Sequence, residues 1–463
     1  MLMAEDVLDR FKETISFANG DVKNKNIEKF RSEIVDDLVA EAVLHKDKNA
    51  RALARFIIKS VAIEMGAIPA SIQGLYEAIG RGEVTGFTVP AINIRGLTYE
   101  LARAIFRSAH KINCGAMIFE IAKSEIGYTF QRPHEYSTVI LAAAIKENFC
   151  GPVFIQGDHF QINAKKYLAH PDKEVSGVKD LIYEAISGGF YNIDIDTSTL
   201  VDLSRPSIVE QQRPNFEVGA ELTRYVRELE PEGVTISIGG EIGEVGKENS
   251  NPEELKAYMD NFNAVLAKFG TSLKGISKIS IQTGTSHGGV PMPDGTVANV
   301  NLDFETLGTL SKIAREQYGL SGAVQHGAST LPAAMFHRFP ELATAEIHLA
   351  TDFQNMIYES DFFPKDLKEE IYSHLRVKFA DENKPEQTDE QFIYKTRKKG
   401  FGEFKPKFWA LPQDVKENIG NQLEKRFDFL FDKLNVRNTR NAVNQTVVPA
   451  KIKPDLKIEK DWA

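Results

Sequence analysis

The chain has 463 residues, 42% of them hydrophobic and 26% charged, so it is long enough to bury a full core and exceeds one minimal domain. Its net charge of -9 argues against a nucleic-acid surface, which needs clustered cations, while leaving room for a local anion pocket. Glu5, Asp6, Asp9 and Glu13 speak against a secretory leader, and no apolar run reaches membrane-spanning length, so the expectation is a cytoplasmic protein without a membrane partner.

Residues 1–82 predict a helical addition. Apolar residues recur at three- and four-residue steps through Ile27, Phe30, Ile34, Leu38 and Ala42, and again through Leu53, Phe56, Ile57 and Val61. Residues 83–360 change rhythm, and short β-rich runs alternate there with amphipathic helical stretches. Eight runs are expected as strands, at 87–94, 116–122, 153–158, 191–197, 234–242, 279–284, 322–327 and 345–351. Eight strands in such alternation close naturally as a (β/α)8 TIM barrel, an α/β fold. Cys114 and Cys150 lie in apolar stretches without ligand-like spacing and read as small core residues of a reducing compartment. Residues 161–177, longer than an average loop, are expected to run as an excursion over the barrel mouth. From 361 to 463 the alternation stops, and a C-terminal helical extension is expected. Its helices fall at 365–379 and 411–434, with a polar, extended or mobile stretch at 380–399 and a tail from 435.

Three of the strand-like runs end in histidine: His159 after Asp158, His287 after Gly284-Thr285-Ser286, and His326 after Gln325. A closed barrel gathers the C-terminal ends of its strands around one mouth, so three imidazoles there suggest a shared ion, zinc or another divalent metal. An isolated histidine is more often a core or surface side chain, which is how His45, His110, His170 and His374 are read. Glu241, framed by glycines at the end of the fifth run, can reach the same mouth, although a plain surface carboxylate is the alternative. Asp158 adjoins a ligand and suits a positioned acid/base, or else an orienting partner of the ligand. Gly288-Gly289 and Gly327-Ala328-Ser329 offer backbone N–H groups at the rim. Glycine-rich loops alone are weak evidence, but beside two candidate ligands they point to a phosphorylated substrate.

Over residues 86–352 these motifs resemble the class II, zinc-dependent ketose-bisphosphate aldolases. The resemblance is carried by Gly157-Asp158-His159, Gly188-Gly189-Phe190-Tyr191-Asn192-Ile193-Asp194-Ile195-Asp196, Gly240-Glu241-Ile242-Gly243, Gly284-Thr285-Ser286-His287-Gly288, His326-Gly327-Ala328-Ser329 and Leu349-Ala350-Thr351-Asp352. It implies reversible cleavage of a ketose (bis)phosphate, such as fructose 1,6-bisphosphate, into dihydroxyacetone phosphate and glyceraldehyde 3-phosphate. His159, His287 and His326 would bind zinc, with Glu241 on or near it, and zinc would hold the enediolate. Asp158 would move the hydroxyl proton, and Glu248, with Glu244 in reserve, the carbon proton. Gly288, Gly327, Ser329 and Thr351 would hold phosphate, assisted by a monovalent cation. The family's arginine for the distal phosphate, reached from a partner subunit, falls on Lys407, which implies a homodimer or higher homo-oligomer. His348, Gln156 and Ala122 stand where the family usually has asparagine, histidine and serine, so substrate-contacting positions have drifted. The alternatives are a zinc-dependent sugar epimerase or isomerase on the same scaffold, or a non-catalytic aldolase-like subunit.

Overall fold

The computed structural model of the chain describes residues 11–18, 21–243, 248–284 and 302–463. Its N-terminal region opens with the hairpin β1 (Ile15–Ala18) and β2 (Asp21–Asn24), continues through helices Val35–Leu44 and Lys48–Met65, and ends with β3 (Ala67–Ala70) and helix Gln73–Gly80. The addition expected to be helical therefore also carries three short strands. Four-residue runs leave too few positions for a two-residue period to stand out.

The barrel strands are β4 (Val89–Asn93), β5 (Ile118–Ala122), β6 (Gly151–Gln161), β7 (Asn192–Asp196), β8 (Ser237–Glu241), β9 (Lys278–Ile281), β10 (Ala323–Gln325) and β11 (Glu346–Leu349). Each pairs in parallel with the next, β11 returns to β4, and the β6–β7 pairing completes the ring. All eight expected strands are present, and the (β/α)8 barrel is closed. Except for Gly151, His159 and Gln161 of β6, their residues are buried, because helices cover the outside and side chains fill the inside.

Strand β3 belongs to this sheet as well. It pairs with Gly151–Phe154 of β6, below the point where β7 joins at Gln156, and so fills the barrel's lower edge. Asn192 stitches that corner. Its Oδ1 accepts from Ile72 N (2.8 Å), and its Nδ2 donates to the carbonyls of Ala70 (3.1 Å) and Ile155 (3.0 Å).

Two expectations for the connections are corrected. Residues 161–177 are not a loop but supply helix Ala164–Ala169 and the start of helix Pro171–Gly188, while Gln161, Asn163, Lys166 and Glu174 do line the mouth cavity as expected. The Asn163 side chain accepts from Lys166 N, and Pro171 opens the second helix, so the polar residues taken for loop are helix-start residues. The stretch at 380–399 likewise folds, with helix Asp389–Thr396 held by a reciprocal cap between Thr388 and Gln391. The tail also docks. Its last helix, Leu456–Asp461, lies against helix Lys48–Met65. There Glu459 Oε1 meets Lys59 Nζ at 2.6 Å, and its Oε2 lies 3.1 Å from His134 Nδ1. Among the described residues, no helix is long and apolar enough to cross a membrane.

Both partners of the Lys59–Glu459 pair are buried. Glu459→Gln is expected to lower the unfolding free energy by about 3–5 kcal/mol, because it strands a buried ammonium, and Lys59→Met with Glu459→Leu should recover most of that. Urea denaturation measures both. Burial disfavours the Glu459 carboxylate, but Lys59 and His134 outweigh it and bring its pKa from 4.5 to about 2. A depressed folded pKa gives stability that is complete above about pH 4.5 and lost as pH falls through about 2. The wild-type advantage over Glu459→Gln should shrink across that window.

Candidate active site

Successive residues of a regular strand point to opposite faces, so Asp158 and His159 could not both enter one mouth from an unbroken β6. The strand breaks there. The β6–β7 register shifts between Gly157 and Phe160, and His159 has φ +43°, a left-handed conformation that is costly for a side chain of this kind. Gly157 permits the kink, because a Cβ there would lie 2.4 Å from the Phe160 ring. As a result His159 Nε2 and His326 Nε2 each lie 3.9 Å from Asp158 Oδ1.

Asp196, at the end of β7, fixes the His159 ring. Its Oδ2 lies 2.9 Å from His159 Nδ1 and accepts from Gln161 Nε2, while its Oδ1 accepts from Ser198 N and Oγ. Burial opposes the Asp196 charge, but the hydrogen bonds from His159, Ser198 and Gln161 prevail and hold its pKa at about 2. A carboxylate on one ring nitrogen fixes the ring's orientation, the usual arrangement for a ligating histidine. Glu241 Oε2 lies 3.4 Å from His159 Nδ1, and Glu241 Oε1 lies 3.8 Å from His326 Nδ1. His159, Glu241 and His326 each offer a donor atom within 4.8 Å of the others. A tetrahedral ion bound at 2.0–2.2 Å separates its ligand atoms by roughly 3.3–3.6 Å, so donors this far apart would draw together by on the order of 1 Å to share one ion.

Beneath the mouth, the barrel interior is ionic. Lys278 Nζ, fully enclosed, donates to Gln156 Oε1 (2.8 Å) and Glu346 Oε1 (2.5 Å) and lies 2.9 Å from Asp194 Oδ1. Gln156 Nε2 donates onward to Glu120 Oε2 (3.0 Å) and Glu346 Oε1 (2.9 Å), and Tyr76 OH caps the layer on Glu346 Oε2. Gly239 makes room, since a Cβ there would meet Asp194 Oδ1 at 2.3 Å and Lys278 Cε at 2.9 Å. Burial pushes Glu120 up to about 7 and Asp194 up to about 6. It opposes charge on Glu346 too, but Lys278 and the hydrogen bond to His348 hold that carboxyl well below the usual range.

His348 joins this layer to the mouth. Its Nε2 lies 2.7 Å from Glu346 Oε1, and its Nδ1 lies 3.1 Å from Glu120 Oε2 and 3.3 Å from Asp158 Oδ1. Burial disfavours an imidazolium there, yet Glu120 and Asp158 raise the His348 pKa well above its ordinary value. Asp158 responds in the opposite direction: burial is outweighed by His159, His348 and His326, and its carboxyl is held ionised.

Asp158, His159, His326, Gly327, Ser329, His348 and Thr351 all line one cavity of about 520 Å³ at the mouth. Glu241 is buried beside the two histidines. Glu248 is exposed on the stretch after β8, and Lys407 is at the surface, paired with Glu370. His287, Gly288 and Glu244 lie outside the described residues. Sequence reasoning did not single out Asp196, Glu120, Asp194, Lys278, Glu346, Arg95 or Lys398. A charged residue within or at the start of an apolar strand, as in Ile118-Phe119-Glu120-Ile121 or Lys278-Ile279-Ser280-Ile281, was the available signal for the buried layer.

Among protein families, the one described as fructose-bisphosphate aldolase class-II matches residues 75–404. No curated protein matches the chain. Among solved structures, the glycerol-complexed fructuronate-tagaturonate epimerase UxaE from Cohnella laeviribosi aligns over 94% of this chain and 100% of its own, at 12% identity and a TM-score of 0.54. A protein named "probable tagatose 6 phosphate kinase" from Sinorhizobium meliloti 1021 aligns over 81% of this chain and 97% of its own, at 16% identity and a TM-score of 0.52. The fructose-bisphosphate aldolase of Campylobacter jejuni aligns over 80% and 97%, at 18% identity and a TM-score of 0.47. At such identities the structural likeness speaks for the fold alone.

Lys278→Met would leave Asp194 and Glu346 buried without their cation and is expected to cost about 3–5 kcal/mol of stability. A urea midpoint close to wild type would mean that the layer is not held together by charge.

Proposed function

The chain belongs to the class-II fructose-bisphosphate aldolase family, and from that premise we propose that it is a metal-dependent lyase that reversibly cleaves a phosphorylated ketose into dihydroxyacetone phosphate and an aldehyde. The observation that supports this reading is that His159, Glu241 and His326 offer donor atoms to one another at the mouth, with Asp158 Oδ1 3.9 Å from the Nε2 atoms of both histidines. Retro-aldol cleavage needs a base for the hydroxyl beside the breaking bond and an electron sink on the ketone side. In this reading Asp158 takes the hydroxyl proton, the new carbonyl forms as the C–C bond breaks, and the electron pair passes to the ketone-bearing fragment. The metal, when held by His159, His326, Glu241 and His287, supplies a Lewis acid for the ketone oxygen.

His348 positions Asp158 from below. His348, anchored on Glu346 and Glu120, lies 3.3 Å from Asp158 Oδ1 and keeps that carboxylate aimed into the cavity. Glu248 is our candidate for returning a proton to carbon, and Gly288, Gly327, Ser329 and Thr351 for holding phosphate. Lys407, paired with Glu370 at the surface, is our candidate for meeting the distal phosphate in a partner subunit's site of a homo-oligomer.

A second reading, a sugar epimerase, is favoured by one observation: the likeness to the fructuronate-tagaturonate epimerase extends over 94% of this chain, including most of its terminal additions. The chemistry is related. If the cleaved fragment adds back to the opposite face of the aldehyde, the product is an epimer, and the same groups serve. Product analysis separates the two, since cleavage releases two fragments and epimerisation one ketose.

Chelation is expected to abolish turnover and zinc to restore it; activity that survived complete metal removal would defeat both readings. Asp158→Ala should keep its metal, read by elemental analysis, and lose about 10²–10⁴-fold in turnover. His326→Ala should lose the metal itself.

A further inference from the structure

The basic triplet Arg397-Lys398-Lys399 lies far beyond the barrel in sequence, yet its middle residue lines the same cavity as Asp158, His159 and His326. The two outer residues are ion-paired, Arg397 with Glu359 (2.8 Å) and Lys399 with Glu382. Lys398 differs. Its Nζ stands 5.4 Å from the centroid of the Tyr128 ring, and among the described residues it meets no carboxylate at ion-pairing distance.

The backbone that presents it is pinned. Arg397 Nη2 donates to Asn355 Oδ1 (2.6 Å), and the Arg397 carbonyl accepts from Tyr358 OH (2.9 Å), which fastens the turn to helix Thr351–Glu359. That helix begins at the cavity wall, where Thr351 and Ala350 both line it.

Arg95, just past the end of β4, supplies a second cation to the same cavity. Its Nε donates to Glu125 Oε1 (2.7 Å), and its Nη1 to Gln354 Oε1 (3.0 Å) and Thr351 Oγ1 (3.4 Å). Of its five N–H donors, the two on Nη2 have no hydrogen-bond partner among the described residues. Glu125 is already occupied, since its Oε2 accepts from Asn93 Nδ2 and Ala122 N. One committed carboxylate therefore faces two cations. Burial and the neighbouring Arg95 both lower the Lys398 pKa, a cost that an arriving anion would relieve.

The cavity lining carries the imidazoles and carboxylates of the candidate metal centre together with the cations Arg95 and Lys398, and with Lys123, Lys166 and Glu174, of which Lys123 and Glu174 pair with each other. We propose that Lys398 and Arg95 bind the anionic terminus of an open-chain sugar whose ketone end lies at the metal-type donors, so that the C-terminal extension supplies a specificity-determining residue to its own barrel. The inference rests on the lyase or epimerase reading for what occupies the metal-type donors. The shared chemistry is an oxyanion, either a phosphate or a carboxylate, and the Arg95 fork suits both.

The test titrates the zinc-loaded full chain with glycerol 3-phosphate and, separately, with glycerate, by calorimetry. At least one probe should bind, and Lys398→Gln should weaken it about tenfold or more, while Lys398→Arg restores it. A preference for glycerol 3-phosphate that Lys398→Gln abolishes marks a ketose phosphate as the substrate class, and a preference for glycerate that it abolishes marks a keto-uronate. If neither probe binds the wild type, or if Lys398→Gln binds both as tightly as wild type, the assignment falls. A matching thermal melt for Lys398→Gln separates lost binding from lost folding. The metal-dependent turnover assay fails independently: a chain that binds a probe through Lys398 but converts no ketose refutes the catalytic reading and upholds the anion site.

Discussion

The Lys278 ammonium, enclosed among Asp194, Glu346 and Gln156, is the interaction on which the rest of the site depends. Barrel interiors of this class are ordinarily filled by branched apolar side chains, which need no partners and impose little direction. A buried cation is different. It is tolerable only with carboxylates around it, and those carboxylates fix the side chains above them. Glu346 holds His348 from below, Glu120 holds it from the side, and His348 in turn meets Asp158. The candidate base is therefore the top of a column of charge that starts at Tyr76, on a helix of the N-terminal addition.

Backbone geometry supplies what this column cannot. Side-chain alternation along β6 would send Asp158 and His159 to opposite sides of the sheet, and the register shift with a left-handed His159 brings both to the mouth. Strain of this kind persists only where the surroundings over-determine it. Here Asp196 grips one nitrogen of the His159 ring, and Gly157 leaves space for the Phe160 ring beneath the kink. The same two residues thus receive their conformation from β7 on one side and from their own strand on the other.

The terminal additions belong to the same mechanical unit as the barrel. Helix Leu456–Asp461 closes against helix Lys48–Met65 through Lys59 and Glu459, and β3 completes the lower edge of the sheet. At the upper edge, the turn Arg397–Lys399 is tied to the helix that follows β11 and carries Lys398 over the cavity. An extension anchored in this way shapes the mouth, where Lys398 adds a cation from outside the barrel's own loops to the one that Arg95 supplies from within them.

The eight barrel strands were legible because parallel strands buried on both faces appear as unbroken apolar runs, whatever their neighbours are. The cavity positions of Asp158, His159 and His326 were legible because such runs end at one mouth. Helix Asp389–Thr396 was not: its start is signalled by a polar cap, and polar composition alone is shared by loops. Nor was the ionic layer, since Glu120, Asp194, Lys278 and Glu346 sit on four strands widely separated along the chain, and only closure of the ring puts opposite charges within 3 Å. By itself the sequence determined the barrel, its order of strands and which residues stand at its rim, since these follow from local periodicity. Tertiary structure alone decided which charges neutralise one another, how β6 kinks to turn two neighbouring side chains inward, and that Lys398 reaches the mouth, because each depends on distances between segments that local pattern does not encode.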